Sequence, residues 1–145
     1  MNNPHRIRRL VLQGLCCVDS QGSSAWKSIE DFLRDSRETT MLIEKALRTL
    51  RGAFDMRPES DDILLRNGGQ WSLARLALID RNILRLAVYE LLATDVPKKV
   101  VISEALRLAN EFSTAESPRF INGVIDSIMP EIDAHKKESS DHGDA

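Results

Sequence analysis

The chain has 145 residues, of which 42% are hydrophobic and 29% charged, proportions of an ordinary globular domain rather than of a disordered or fibrous chain. Twenty basic side chains stand against 22 acidic ones, a net charge of −2, so a protein that coats nucleic acid through bulk positive charge is excluded and any RNA contact must use a local patch. No apolar run reaches the roughly 20 residues of a membrane helix, the N-terminus lacks the order of a signal peptide, and the composition reads as cytoplasmic.

Helical spacing recurs along the chain, and strand alternation does not. In the first segment Ile7, Leu10, Val11, Leu15 and Val18 fall on one helix face, with Pro4 at a position tolerated in a first turn. Arg6, Arg9 and Gln13 lie opposite, and Arg8 is about 100° or more round from both arginines. Residues 1–18 carry three arginines and no carboxylate, which makes this helix the basic patch; a solvated helix face is the plainer reading of the same residues. Cys16 and Cys17 are adjacent, a spacing that suits neither a disulfide nor a thiolate metal site, and both read as packing side chains.

A short second helix is predicted with Trp26, Ile29, Phe32 and Leu33 as its apolar side, and a third over about 40–54 with Ile43, Leu47, Leu50 and Phe54 inward. Arg57-Pro58-Glu59-Ser60 reads as a break, Ile63-Leu64-Leu65 as a short helical piece, and Asn67-Gly68-Gly69 as a stop. From Asp80 to Ala93 apolar residues cover nearly the whole circumference, the pattern of a helix in the middle of a bundle. Asp80 and Arg81 sit at its N-terminal end, where a carboxylate suits the helix dipole. The next helix runs over about 98–112. Ser117-Pro118 then reads as an N-cap serine followed by a first-turn proline, opening a last helix whose inward stripe is Ile121, Val124, Ile125 and Ile128. Pro130 is expected to end or weaken it, so that 1–132 form one domain and 133–145 a polar, disordered tail.

The stretch Ile79-Asp80-Arg81-Asn82-Ile83-Leu84-Arg85-Leu86-Ala87-Val88-Tyr89-Glu90-Leu91 resembles the central helix of the NusB family. Asp95-Val96-Pro97, Val101-Ile102-Ser103-Glu104-Ala105, Leu108-Ala109 and Phe120-Ile121-Asn122-Gly123-Val124-Ile125-Asp126 resemble that family's following motifs, in the same order, across residues 71–128. The N-terminal helix matches more loosely: Gly14 stands where the family has alanine, Cys16 where it has an aromatic, and Pro4 and His5 where arginines are common. The resemblance implies an all-α fold of two packed small helical bundles around a buried central helix. It also implies a job without catalysis, metal or cofactor: binding a boxA-type single-stranded RNA in nascent ribosomal RNA, together with the ribosomal protein NusE, in support of the RNA polymerase elongation complex. Some family members also form homodimers. The RNA-binding residues so implied are Arg6, Arg8, Arg9, Gln13, Ser117, Arg119, Phe120 and Asn122, and the NusE-binding ones Asp80, Arg81 and Cys16. Each has a plainer alternative: Ser117 an N-cap, Phe120 a core residue, Asp80 a helix cap. A non-RNA-binding interaction module or homodimer is the competing function. Enzyme chemistry is poorly supported, since His5, His135 and His142 lie near the chain ends and no phosphate-cradling glycine motif occurs.

Overall fold

A computed structural model describes residues 3–68 and 73–143. Among them are seven α-helices, one short 3-10 turn and no strand. The chain divides into two compact units, residues 1–55 and 56–145.

The first unit holds α1 (Pro4–Gln21), α2 (Ala25–Asp35) and α3 (Thr40–Asp55). The side chain of Asn3 accepts from the Arg6 amide and starts α1 one residue ahead of Pro4. Gly22, at φ 81°, ends it with its amide bonded to the Val18 carbonyl. Ile7, Val11, Leu15 and Val18 are buried, as the spacing predicts. On α3 the buried stripe is Leu42, Ala46, Leu50 and Ala53, shifted from the expected one; only Leu50 is common to both, while Ile43, Leu47 and Phe54 are half-buried. The shift follows from close helix approach. A Cβ on Gly14 would lie 2.6 Å from Leu50 Cδ2, so α1 and α3 meet where one helix has no side chain and small alanines flank the contact on the other. Phe54 packs instead edge-on against Trp26, at 5.2 Å between ring centroids, with the Arg51 guanidinium 3.8 Å from the Trp26 ring. On α2, Ala25, Ile29 and Leu33 take the buried side, and Phe32, expected inward, is 59% exposed at its margin.

The second unit contains α4 (Arg57–Asn67), the turn Leu73–Arg75, α5 (Leu78–Ala93), α6 (Lys98–Phe112) and α7 (Ser117–Gly143). The break expected at 57–60 is the first turn of α4: Pro58 sits where its missing N–H would have no helical partner. Gly68 closes α4, and Gly69, the last residue of the predicted stop, lies outside the described residues. The central helix, α5, contacts α4, α6 and α7 and buries Ile83, Leu84, Leu86, Ala87, Val88 and Leu91. Its Arg85 is buried too, and forks onto both carboxylate oxygens of Asp61 at 2.8 Å, which gives α4 and α5 a fixed register. Asp61 therefore has the charged partner that its polar neighbourhood in the sequence conceals.

The last helix does not stop at Pro130. Pro130 is on the exposed side, while Ile128 and Ile132 on either side of it are fully buried and hold the helix down. Polar ties then carry it onward: Glu131 to Arg66 and Asn67, Asp133 to Lys98, and the Lys136 amine to the Thr94 carbonyl 3.1 Å away, just past the end of α5. Residues 133–143, expected as disordered tail, are helical.

Candidate functional site

On α1, Arg6, Arg9 and Gln13 are exposed along one side and, with Leu10 and Glu38, line a depression of about 180 Å³. Arg6 is already paired there: its Nη1 lies 3.0 Å from a Glu38 oxygen, with the arginine side chain 53% exposed. Arg8 is not part of this face. It is only 8% exposed, on the inward side of the helix. The structure therefore brings together two of the three arginines, with the glutamine one turn on.

The corner between α6 and α7 is built around Asp80. This carboxylate is 8% exposed, so it is no exposed anchor for a partner's lysine or arginine. Its Oδ1 accepts from the Ser113 hydroxyl at 2.7 Å and its Oδ2 from the Ser117 hydroxyl at 3.1 Å. The two serine oxygens are 2.8 Å apart, and the Thr114 hydroxyl is 2.9 Å from Ser117. A serine hydroxyl has one proton, so Ser113 and Ser117 cannot both donate to Asp80 and also to one another; Thr114 supplies the further donor to Ser117. Ser117, 3% exposed, is thus committed inside the protein and is not placed to meet a phosphate. What the corner does is fix the start of α7 on the first turn of α5.

Beyond that corner the first turns of α7 are open. Arg119 and Asn122 are exposed and Phe120 is half-buried. Arg119 and Phe120 line a groove of about 890 Å³ together with Asn67 and Gly68 from the end of α4 and Ala115, Glu116, Gly123, Val124 and Ser127. Asn122 is not among the groove's walls. Asn67, Gly68, Gly123 and Ser127 are groove residues that spacing does not single out, because the end of α4 and the face of α7 meet only in the fold. Their mutual placement is held by Glu131. It takes the Arg66 guanidinium at 2.5 and 3.2 Å and the Asn67 amide at 3.0 Å, and His135 is 3.3 Å away. The Arg66 hydrogen bond, helped by Asn67 and His135 and opposed by partial burial, lowers the Glu131 carboxyl to about 2.

The residues implied as a partner surface fall in different units. Arg81 is half-buried and donates from Nη1 to the Leu73 carbonyl at 3.1 Å. Cys16 is half-buried on α1. Its neighbour Cys17, with Leu10, Gly14, Ile29 and the exposed Phe32, lines an apolar groove of about 300 Å³ in the first unit. Among the described residues no cluster of three or more His, Cys, Asp or Glu is placed to hold a metal ion, and no helix is long and apolar enough to cross a membrane.

Comparison with known proteins places these features in a family. The sequence model of the NusB family matches residues 5–130. The transcription antitermination protein NusB of Symbiobacterium thermophilum is 36% identical over 133 residues, 86% of this chain and 87% of that one. That of Acidothermus cellulolyticus is 46% identical over 124 residues, 85% of this chain and 84% of the other. The solved structure of T. maritima NusB superposes with a TM-score of 0.81 at 35% identity, covering 90% of this chain and 94% of that one.

Proposed function

The chain belongs to the NusB family of transcription antitermination proteins, which are RNA-binding and not enzymes, and from that premise we propose that it recognises boxA-type single-stranded RNA in nascent ribosomal RNA together with NusE. The observation that supports this most is the exposed row of Arg6, Arg9 and Gln13 on a chain whose net charge is −2. Guanidinium forks suit phosphate oxygens and stack on unpaired bases, and the glutamine amide can donate and accept at a base edge. Arg119, Phe120 and Asn122 add a cation, an aromatic ring and a second amide on α7. Ser117 and Asp80 serve this surface from beneath by fixing the start of that helix. Arg8 contributes through its buried position on α1 rather than as an outward contact. The contact with NusE falls to Arg81 and Cys16, and through NusE the protein joins the elongating polymerase in the cytoplasm.

The test is an electrophoretic shift with a boxA oligonucleotide, a scrambled control, and NusE present or absent. Binding should weaken steeply with salt, and Arg6→Ala and Arg9→Ala should each reduce the slope of log affinity against log salt by roughly 0.7. Equal affinity for boxA and the scrambled strand, or an unchanged slope in the double variant, refutes this reading. A second reading is favoured by one observation, the apolar groove beside Phe32: the first unit docks a protein or a second copy of the chain. Light scattering that finds RNA-independent dimers, with no RNA affinity, supports it instead.

A further inference from the structure

Gly123 lies in the interior of α7, three residues after Phe120 and four before Ser127, on the face that lines the large groove. Among the described residues nothing requires a glycine there. A Cβ at this position would meet no atom within 4 Å, and among the described residues Gly22 is the only glycine at positive φ. Glycine in a helix interior is less stable than alanine, so its presence at a site without steric or backbone demand points outward, to something that must approach the helix backbone.

The walls of the groove say what kind of ligand fits. Phe120 places an aromatic ring at the groove wall, a group suited to stacking on a base, and Arg119 a guanidinium suited to phosphate. Both amide protons of Asn67 are engaged, by the Ile63 carbonyl at 2.8 Å and by Glu131 at 3.0 Å, so the atom Asn67 has to offer is its carbonyl oxygen, an acceptor. Ser127 donates its hydroxyl to the Val124 carbonyl and keeps lone pairs for a ligand's ribose or base N–H. An aromatic ring, a cation and neutral acceptors around a bare stretch of helix suit a nucleotide of a single strand better than an apolar peptide side chain.

We propose that the groove over Gly123, bounded by Asn67, Gly68, Phe120 and Ser127, seats one nucleotide of the bound single-stranded RNA directly against the backbone of α7. The track thereby extends a full turn beyond the start of the helix and onto the end of α4. The inference rests on the RNA-binding reading.

Gly123→Ala and Gly123→Gln test it, with RNA affinity and thermal unfolding measured side by side. Both variants should unfold at or above the wild-type temperature, because the added side chain enters open space and favours the helix. Gly123→Gln should weaken RNA binding by about fivefold to a hundredfold, the loss of roughly one stacked base, and Gly123→Ala by less. In the wild type, RNA should shift the amide resonances of Gly68, Gly123 and Ser127. Wild-type binding with unaltered affinity in Gly123→Gln overturns the inference and leaves the RNA reading standing. A wild type that binds no RNA overturns both. A Gly123→Gln variant that loses NusE but keeps RNA assigns the groove to a protein and overturns the inference alone.

Discussion

Replacing Asp80 by alanine separates a buried latch from an exposed anchor. In the structure the carboxylate accepts from Ser113 at 2.7 Å and from Ser117 at 3.1 Å while only 8% exposed. A hydrogen bond to a charged group contributes about 1.5–3 kcal/mol net, and two independent ones would contribute twice that. They are not independent. The serine oxygens are 2.8 Å apart, so once the carboxylate is gone one hydroxyl can donate to the other and neither is orphaned. The loss is therefore nearer one charged hydrogen bond, plus about 0.3–1 kcal/mol for the negative charge on the first turn of α5, in all about 2–4 kcal/mol. With a urea slope of about 1–3 kcal/mol per molar, the midpoint should fall by roughly 0.7–4 M. Ser113→Ala should cost about 1 kcal/mol, and the double variant less than the sum of the two. The reasoning is refuted if Asp80→Ala unfolds within about 0.5 kcal/mol of wild type yet loses most of its affinity for NusE: the carboxylate would then be acting at the surface.

Three further outcomes are expected. The Glu131 carboxyl is held at about 2 instead of 4.5, so the unfolded state binds the proton first as the pH falls; the contribution of Glu131 is complete above 4.5 and is lost toward 2. The difference in thermal midpoint between wild type and Glu131→Gln should accordingly be constant near neutrality and shrink across that acid range; a gap that stays constant to pH 2 contradicts the Arg66 pairing. Gly14→Ala should destabilise by about 1–3 kcal/mol through the clash with Leu50, and a smaller side chain at 50 should reduce that penalty; a Gly14→Ala protein more stable than wild type denies the close contact of α1 and α3. Glu38→Gln frees Arg6 from an exposed ion pair of about 0.2–1 kcal/mol and should tighten RNA binding by up to roughly fivefold, read from the same gel shift; weaker binding means that Glu38 orients the arginine rather than competing for it.

The helices that dominate the fold were legible because their apolar residues repeat at helical spacing over three turns or more. The encircled apolar pattern of 83–92 could belong only to a central helix, and α5 is buried accordingly. Less was legible where a single local signal carried the inference. Pro58 and Pro130 look alike in the sequence, yet one begins a helix and the other is passed over, because burial of Ile128 and Ile132 outweighs one missing backbone hydrogen bond. The inward stripe of α3 is harder to read because large side chains advertise a core, whereas the buried stripe includes the small Ala46 and Ala53 beside Leu50, which packs where Gly14 of α1 has no side chain. At the candidate site, residue type and order single out Asp80 and Ser117 but do not show that their side chains meet inside the protein. Asp80 and Ser117 are 37 positions apart, and nothing local says that one caps the other.

Two of the helical glycines, Gly14 and Gly123, show why residue type alone cannot separate stability from binding. Both interrupt helices in which alanine would be intrinsically better. At Gly14 the reason lies inside the protein, since Leu50 fills the space a Cβ would need. At Gly123 no described residue fills that space, and the groove in front of it is bordered by groups suited to RNA. Alanine should therefore have opposite effects at the two positions, lowering stability at the first and raising it at the second while weakening the ligand. On the proposed reading the open side of Gly123 is room for a nucleotide, and that room lies alongside Arg119 and Phe120 on the α7 surface.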